Sequence, residues 1–319
     1  FGLGSFKALG GTYGVLKFIH HALKKEIGDE VSMKDIHAGK YSEQISKYTV
    51  TTATDGNHGR SVAFGAKLFG CKCQIYIHSE VSSGRQKAME DLEATVNRVS
   101  GNYDESLQIC IEDAGKNNWH VISDTSYEGY TKYPRYIMAG YNVMAEEIID
   151  QIKDRPLPTH VFLQGGVGSF PGAICGYFWE KFPGNNIKFV VVESEHAPCL
   201  IRSAQNNQMT SVNIKQETMM AGLSCGEPSL LGWEILKSGT DDFITINDSS
   251  IPGLMRLLAE NNLKIEAGES SVAGLAGLIE SMEDQKIAKA MGLNKESIVL
   301  LFGTEGATDP EIYRSIISE

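Results

Sequence analysis

Short apolar or β-branched runs alternate with helix-period segments along nearly the whole of this chain, and that alternation restricts the fold more than any other feature. "YTVTTAT" runs into "DGNHGRSVAFGAKLFG", whose apolar residues recur at helical spacing after a turn. "CQIYIH" precedes "GRQKAMEDLEAT", "VNRVS" precedes "YDESLQICIEDAGKN", and "HVISD" closes this first series. Beyond the amphipathic "YPRYIMAGYNVMAEEIIDQI" and the polar turn "KDRPLP", a second series opens with "THVFLQ", a glycine loop and "AICGYFWEKF". It continues through "KFVVVES", "DFITIND" with the helix "SIPGLMRLLAENN", and "SIVLLFG" with "TDPEIYRSIIS". Crossovers between parallel strands are right-handed and leave helices on both faces of the sheet. The expected fold is therefore α/β, with two open, twisted, mostly parallel sheets and flanking helices. Ligands of such sheets bind outside the carboxyl ends of the strands.

Charge narrows the partners. A net charge of −11 over 319 residues lacks the basic footprint of a nucleic-acid binder, and an anionic membrane surface would repel it. No apolar run approaches the ~20 residues of a membrane span, and the amino end lacks a signal peptide's basic-then-apolar pattern. The expectation is a cytoplasmic protein acting on a small molecule. "FGLGSFKALGG" reads as the middle of a longer sequence. Cys71, Cys73, Cys110, Cys175, Cys199 and Cys225 have no repeated spacing, so reduced thiols are expected rather than a metal site or a disulfide frame.

Lys7 has no carboxylate within ten residues on either side, so no sequence neighbour forms an ion pair with it. In "LQGGVGSFPGA", Gly165, Gly166 and Gly168 follow an apolar strand, and Ser169 opens a helix. Backbone amides of such a turn, added to the positive end of the helix, make an anion site. A nicotinamide reading competes, because Glu193 ends the next strand where a ribose-binding acid would lie, but Pro171 occupies the third-glycine position. "GLSCG" matches a nucleophile elbow around Ser224, without the buried strand before it or the helix straight after it that the motif needs. "NDS" at Asn247 matches a glycosylation acceptor by chance.

"TDGNHGR" gathers Thr54, Asp55, Asn57, His58 and Arg60 at a strand end that opens a helix. Thr54 or Asp55 as a plain helix cap is the simpler reading of part of it. Asp124 follows "HVI" as Asp55 follows "TTAT", so the two carboxylates face one crevice if their strands are neighbours. Asp124 as a turn or cap acid is the competing reading.

Taken together, "SFKALGG", "DGNHG", "GGVGS" and a late "GTEG" resemble the fold-type II pyridoxal-phosphate enzymes, the tryptophan synthase β group. Within that group "FGLGSFKALGG", "TATDGNHGR", "DTSYEGYTKYP", "MAGLSCGEPSLLGWEIL", "GES" and "TEGATD" are similar, in order, to the blocks of the diaminopropionate ammonia-lyase family. Two departures from the wider group stand out. Asp55 and Gly56 replace the serine and glycine usual before the asparagine in dehydratases, and Gly303 stands where a hydroxyl residue is expected ahead of Thr304.

The resemblance implies a large cofactor-binding domain, residues 1–45 and 141–319, with a small domain, 46–140, inserted in it. It implies pyridoxal 5'-phosphate as cofactor and Lys7 as the Schiff-base lysine, in apolar surroundings from Phe1 and Phe6. Gly165, Gly166, Val167, Gly168 and Ser169 would hold the phosphate, Asn57 the phenolic oxygen and Thr304 the ring nitrogen. The substrate implied is 2,3-diaminopropionate, D or L, met by Thr54, Asp55, His58 and Asp124, and the products are pyruvate and ammonia. Lys7 and Asp55 would be bases for opposite faces, and Asp124 would keep the β-ammonium charged. A homodimer is also implied. The alternatives are another β-eliminase of the fold, such as a serine or threonine dehydratase or a cysteine-type lyase, a nicotinamide-dependent dehydrogenase, and a catalytically dead sensor.

Overall fold

The structure, a computed structural model, describes residues 2–54, 56–101, 103–260, 262 and 264–318. The chain divides into two compact units, one of residues 1–124 with 130–140 and the other of 125–129 with 141–319. All eight strand runs of the sequence form strands.

In the first unit, β1 (Thr49–Ala53), β2 (Lys72–Ile77), β3 (Thr95–Arg98) and β4 (His120–Val121) form one parallel sheet in the order β3-β2-β1-β4. Every residue of β1 is buried, as a central strand covered on both faces requires. The order reverses between β1 and β4, so the loops after these two strands open on the crevice where ligands of doubly wound sheets bind.

Helix α1 (Lys7–Ile27) is among the helices that periodicity did not disclose. Gly10, Gly11 and Gly14 mask it, since glycine is about 1 kcal/mol less favourable than alanine inside a helix. Packing explains them. A Cβ on Gly11 would lie 2.3 Å from Ser61 Oγ on α2 (Asn57–Phe69), and one on Gly14 would lie 3.0 Å from Ile137 on α3 (Lys132–Ile152). In return, a Cβ on Gly140 of α3 would lie 2.6 Å from the Leu9 carbonyl oxygen. Residues 1–45, which the sequence reading joins to the larger domain, fall with the first unit because α1 lies against α2 with small residues at the contact.

The second unit repeats the plan. β5 (His160–Gln164), β6 (Lys188–Ser194), β7 (Asp242–Ile246) and β8 (Val299–Leu301) are parallel in the order β7-β6-β5-β8. The helices that matter here are α4 (Ser169–Lys181), α5 (Cys199–Asn206), α6 (Leu230–Gly239) and α7 (Ala273–Glu283). Phe162, Val190 and Val192 of the sheet pack with Val272, Ala273 and Ala276, and with Ile251 and Met255, in one apolar core. The reversal falls between β5 and β8, which places the glycine loop and Gly303-Thr304 at the equivalent crevice. Among the described residues no helix is long and apolar enough to cross a membrane.

Candidate active site

The first unit supplies a lysine, a histidine and an aspartate. Lys7 is the first residue of α1, and its Nζ donates to Asp124 Oδ2 at 2.5 Å, across 117 positions of sequence. The carboxylate that no sequence neighbour provides is thus delivered by the chain beyond β4. That segment is tightly held. Tyr130 Oη accepts the Ser123 N–H at 3.0 Å and donates to the Val121 carbonyl at 2.9 Å, while His58 Nε2–H donates to the Ile122 carbonyl at 2.7 Å.

A carbonyl only accepts, so the proton of neutral His58 is on Nε2. Its Nδ1 then carries a lone pair, has no hydrogen-bond partner among the described residues, and lies 3.7 Å from Asp124 Oδ2. Burial pushes the His58 pKa down and the Lys7 charge adds to this, against the opposing pull of Asp124. Burial works against the Asp124 carboxylate as well, but nearby His58 and Lys7, and the hydrogen bond from Lys7, outweigh it and hold Asp124 well below the usual carboxylate range. The cluster is a lysine ammonium on a buried carboxylate, with an imidazole lone pair alongside.

Thr54 serves the local backbone. Its Oγ1 accepts the N–H groups of Gly56 at 3.0 Å and Gly59 at 3.1 Å, which caps the start of α2. Asn57 is the first residue of that helix and is half-buried. Asp55 and Phe1 lie outside the described residues.

In the second unit the loop after β5 has the geometry of an anion cradle. Gly166 and Gly168 take φ of +58° and +92°, where a side chain is strained, and Gly168 precedes the first turn of α4, which has neither a side-chain cap nor an acid. A Cβ on Gly165 would lie 2.7 Å from Glu193 Cγ, and one on Gly168 would lie 3.1 Å from Leu200. Helix α6 presses from outside, since a Cβ on its Gly232 would lie 2.6 Å from the Gly168 carbonyl carbon, and the Ser229 N–H donates to the Val167 carbonyl at 2.7 Å. Ser169 is buried at the start of α4. A bare, uncapped helix start of 13 residues with a hydroxyl in its first turn fits a phosphate monoester. The phosphate of pyridoxal phosphate is such a monoester.

Three side chains escape sequence reasoning. Gln164, the last residue of β5, donates from Nε2 to the Ser271 carbonyl at 2.9 Å and to the Phe302 carbonyl at 2.8 Å, tying the start of α7 to the end of β8. Ser271 itself is buried, and its Oγ has no hydrogen-bond partner. The signal for Gln164 was a polar residue closing an otherwise apolar strand. Tyr130 stood within "DTSYEGYTKYP" without being distinguishable from its aromatic neighbours. Thr304 is buried just beyond β8, and Glu269 is buried at the start of the short turn Glu269–Val272.

The competing motifs are otherwise employed. Glu193 accepts the N–H groups of Leu200 and Ile201, each at 2.8 Å, and so caps α5. Burial pushes its carboxyl up to about 7. With both oxygens on backbone amides and the side chain buried, it is not placed to hold a ribose. Ser224 follows the 3-10 turn Ala221–Leu223 rather than a strand, and its Oγ donates to Glu217. Asn247 Oδ1 accepts the Ser249 N–H at 2.9 Å, the cap of a short turn. All six cysteines are free, and burial pushes Cys71 and Cys175 up to about 12 and Cys110 up to about 11.

Residues 2–303 match the family model described as pyridoxal-phosphate dependent enzyme. The diaminopropionate ammonia-lyase of Escherichia coli strain K12 is 36% identical over 327 residues, which cover 100% of this chain and 81% of that protein. Its crystal structure with an aminoacrylate-PLP azomethine reaction intermediate matches at a TM-score of 0.87 with 34% identity, covering 99% of this chain and 80% of that one. The same enzyme in complex with D-serine also matches at a TM-score of 0.87, with 34% identity and the same coverage.

Proposed function

The chain belongs to the pyridoxal-phosphate-dependent enzymes, and from that premise we propose that it is a carbon–nitrogen lyase, converting 2,3-diaminopropionate to pyruvate and two molecules of ammonia by α,β-elimination. The observation that carries the substrate is the carboxylate beside the lysine. When Lys7 carries the cofactor, Asp124 loses an ammonium partner, and the loss of a charge partner is costly for a buried carboxylate. A substrate with a second, β-amino group brings a cation for that place; serine or threonine does not.

The bound cofactor supplies an electron sink that acidifies the substrate α-carbon. The remaining work falls to this chain's residues. The glycine loop and Ser169 bind the phosphate, and Asn57 orients the ring. Lys7 accepts the α-proton of one enantiomer and Asp55 that of the other. Asp124 holds the β-amino group as an ammonium, since an opposite charge within ~4 to 6 Å favours the charged form, and a protonated amine is the better leaving group. In its neutral form His58 places no second cation against Lys7, and its Nδ1 lone pair lies beside Asp124. We infer in addition that the protein acts as a homodimer in the cytoplasm, on the strength of the same resemblance.

The test is an absorption spectrum of the purified protein, before and after D- and L-2,3-diaminopropionate, with pyruvate assayed in the same tube. A visible band that shifts with substrate, and pyruvate from both isomers, is the expected result. Pyruvate from serine, or 2-oxobutyrate from threonine, with no pyruvate from diaminopropionate would keep the cofactor and overturn the substrate.

A further inference from the structure

Resting on the cofactor reading above, we propose that Ser271 supplies the hydroxyl that bonds the cofactor's ring nitrogen, in the place left by the missing side chain at Gly303. Gly303 is exposed between buried Phe302 and buried Thr304, so it is the side of residue 303, not that of Thr304, that opens outward from the end of β8. Among the described residues, its two chain neighbours aside, the atom within 4 Å of a Cβ built on Gly303 is Ser271 Oγ, at 3.8 Å. A hydroxyl therefore borders the space that a serine side chain at 303 would fill, reached from the opposite wall.

That hydroxyl is also unspent. Ser271 is 6% exposed, and its Oγ is buried with no hydrogen-bond partner among the described residues. Buried hydroxyls are almost always paired, so an orphan one beside an empty side-chain position points to a ligand contact. Its position is rigid. The Ser271 N–H donates to the Gly268 carbonyl at 3.0 Å, and Gln164 Nε2 binds the carbonyls of Ser271 and Phe302 at once, which fixes Ser271 relative to Gly303. Gln164 directly precedes Gly165, so the same side chain ties this hydroxyl to the loop that holds the phosphate. A serine hydroxyl donates to an unprotonated ring nitrogen, whereas a carboxylate would hold that nitrogen protonated. Ser271 thus keeps the ring in the state suited to elimination.

The experiment titrates cofactor-free protein with pyridoxal phosphate, reading the dissociation constant and the position of the visible band for wild type, Ser271→Ala, Thr304→Val and the double variant Ser271→Gly/Gly303→Ser. Gly303 has ordinary backbone geometry and open space, so the double variant is accommodated. Ser271→Ala is expected to weaken cofactor binding about tenfold, one hydrogen bond's worth, and to move the band. The double variant is expected to return both to wild-type values, and this rescue separates a lost contact from a misfolded protein. Unchanged binding in Ser271→Ala, or a loss in Thr304→Val alone, overturns the assignment while leaving the cofactor reading intact. A wild-type protein that gains no band overturns both.

Discussion

Lys7 Nζ and Asp124 Oδ2 lie 2.5 Å apart in a pair that is largely shielded from solvent. Asp124 is held well below the usual carboxylate range, with burial opposing and the neighbouring His58 and Lys7 prevailing. Its folded pKa is thus lower than its unfolded one, so its stabilisation is complete above about pH 4 and is lost as pH falls further. Asp124→Asn should cost the cofactor-free protein about 3 kcal/mol near neutrality. The gap in melting temperature should stay constant down to about pH 5 and close below about pH 4. In the loaded enzyme the variant should lose roughly 100-fold in kcat/KM on diaminopropionate, as when one partner of a desolvated charge pair is removed. An equal loss on serine would separate Asp124 from the β-ammonium.

His58 gives a different pH signature. Burial lowers its folded pKa, so the unfolded chain takes up a proton that the native state resists, and stability falls as pH drops below about 6.5. The limiting slope is about 1.4 kcal/mol per pH unit for one proton. His58→Gln keeps a donor for the Ile122 carbonyl and removes the titration. Thermal melts between pH 5 and 7.5 should show the wild type losing stability on the acid side and the variant losing less. Parallel curves would mean that His58 titrates alike in the folded and unfolded states.

Gly140 tests how α1 carries Lys7. A Cβ there meets the Leu9 carbonyl oxygen at 2.6 Å and Gly10 Cα at 2.8 Å, both backbone atoms that cannot swing aside. Gly140→Ala should therefore push α1 off α3, destabilise the protein by about 2 kcal/mol and displace the start of α1. The measurement is a denaturant midpoint alongside the rate at which Lys7 captures pyridoxal phosphate. A normal midpoint would show that the helices adjust without strain.

These glycines also mark where the sequence stops being legible. The strands could be read because parallel strands buried on both faces need apolar runs, and β5 carries Val161, Phe162 and Leu163 and β6 carries Phe189, Val190, Val191 and Val192. The "TDGNHGR" and "SDTS" loops could be placed at one crevice because each follows a strand, and β1 and β4 are neighbours. Helix α1 stayed hidden because Gly10, Gly11 and Gly14 serve contacts with residues far along the chain, against local propensity. For the same reason Lys7 looked unpaired: its partner is 117 residues away. Gln164 and Ser271 act through backbone carbonyls and an empty side-chain position, which no motif spacing encodes.

Asp55 carries the claim about stereochemistry. If it is the base for one face of the substrate and Lys7 for the other, Asp55→Asn should lose most of its turnover on D-2,3-diaminopropionate, on the order of 100-fold or more, and much less on the L-isomer. Initial rates of pyruvate release from each isomer decide it. Full activity on D would sink the assignment.

Gly168 isolates the phosphate site from the rest of the chemistry. Its φ of +92° is one that an L side chain adopts only under strain, of roughly 1–2 kcal/mol, and its Cβ would press on Leu200 at 3.1 Å. Relief of that strain must turn the peptide that joins Gly168 to Ser169, the first residue of α4. Gly168→Ala should therefore weaken pyridoxal phosphate about tenfold. Pyridoxal without the phosphate should be captured by Lys7 as in the wild type, because the lysine lies in the other unit. Spectral titration with both forms makes the comparison. Equal losses for both would show that the substitution disturbs more than anion binding, and no loss for either would remove the loop from the phosphate site.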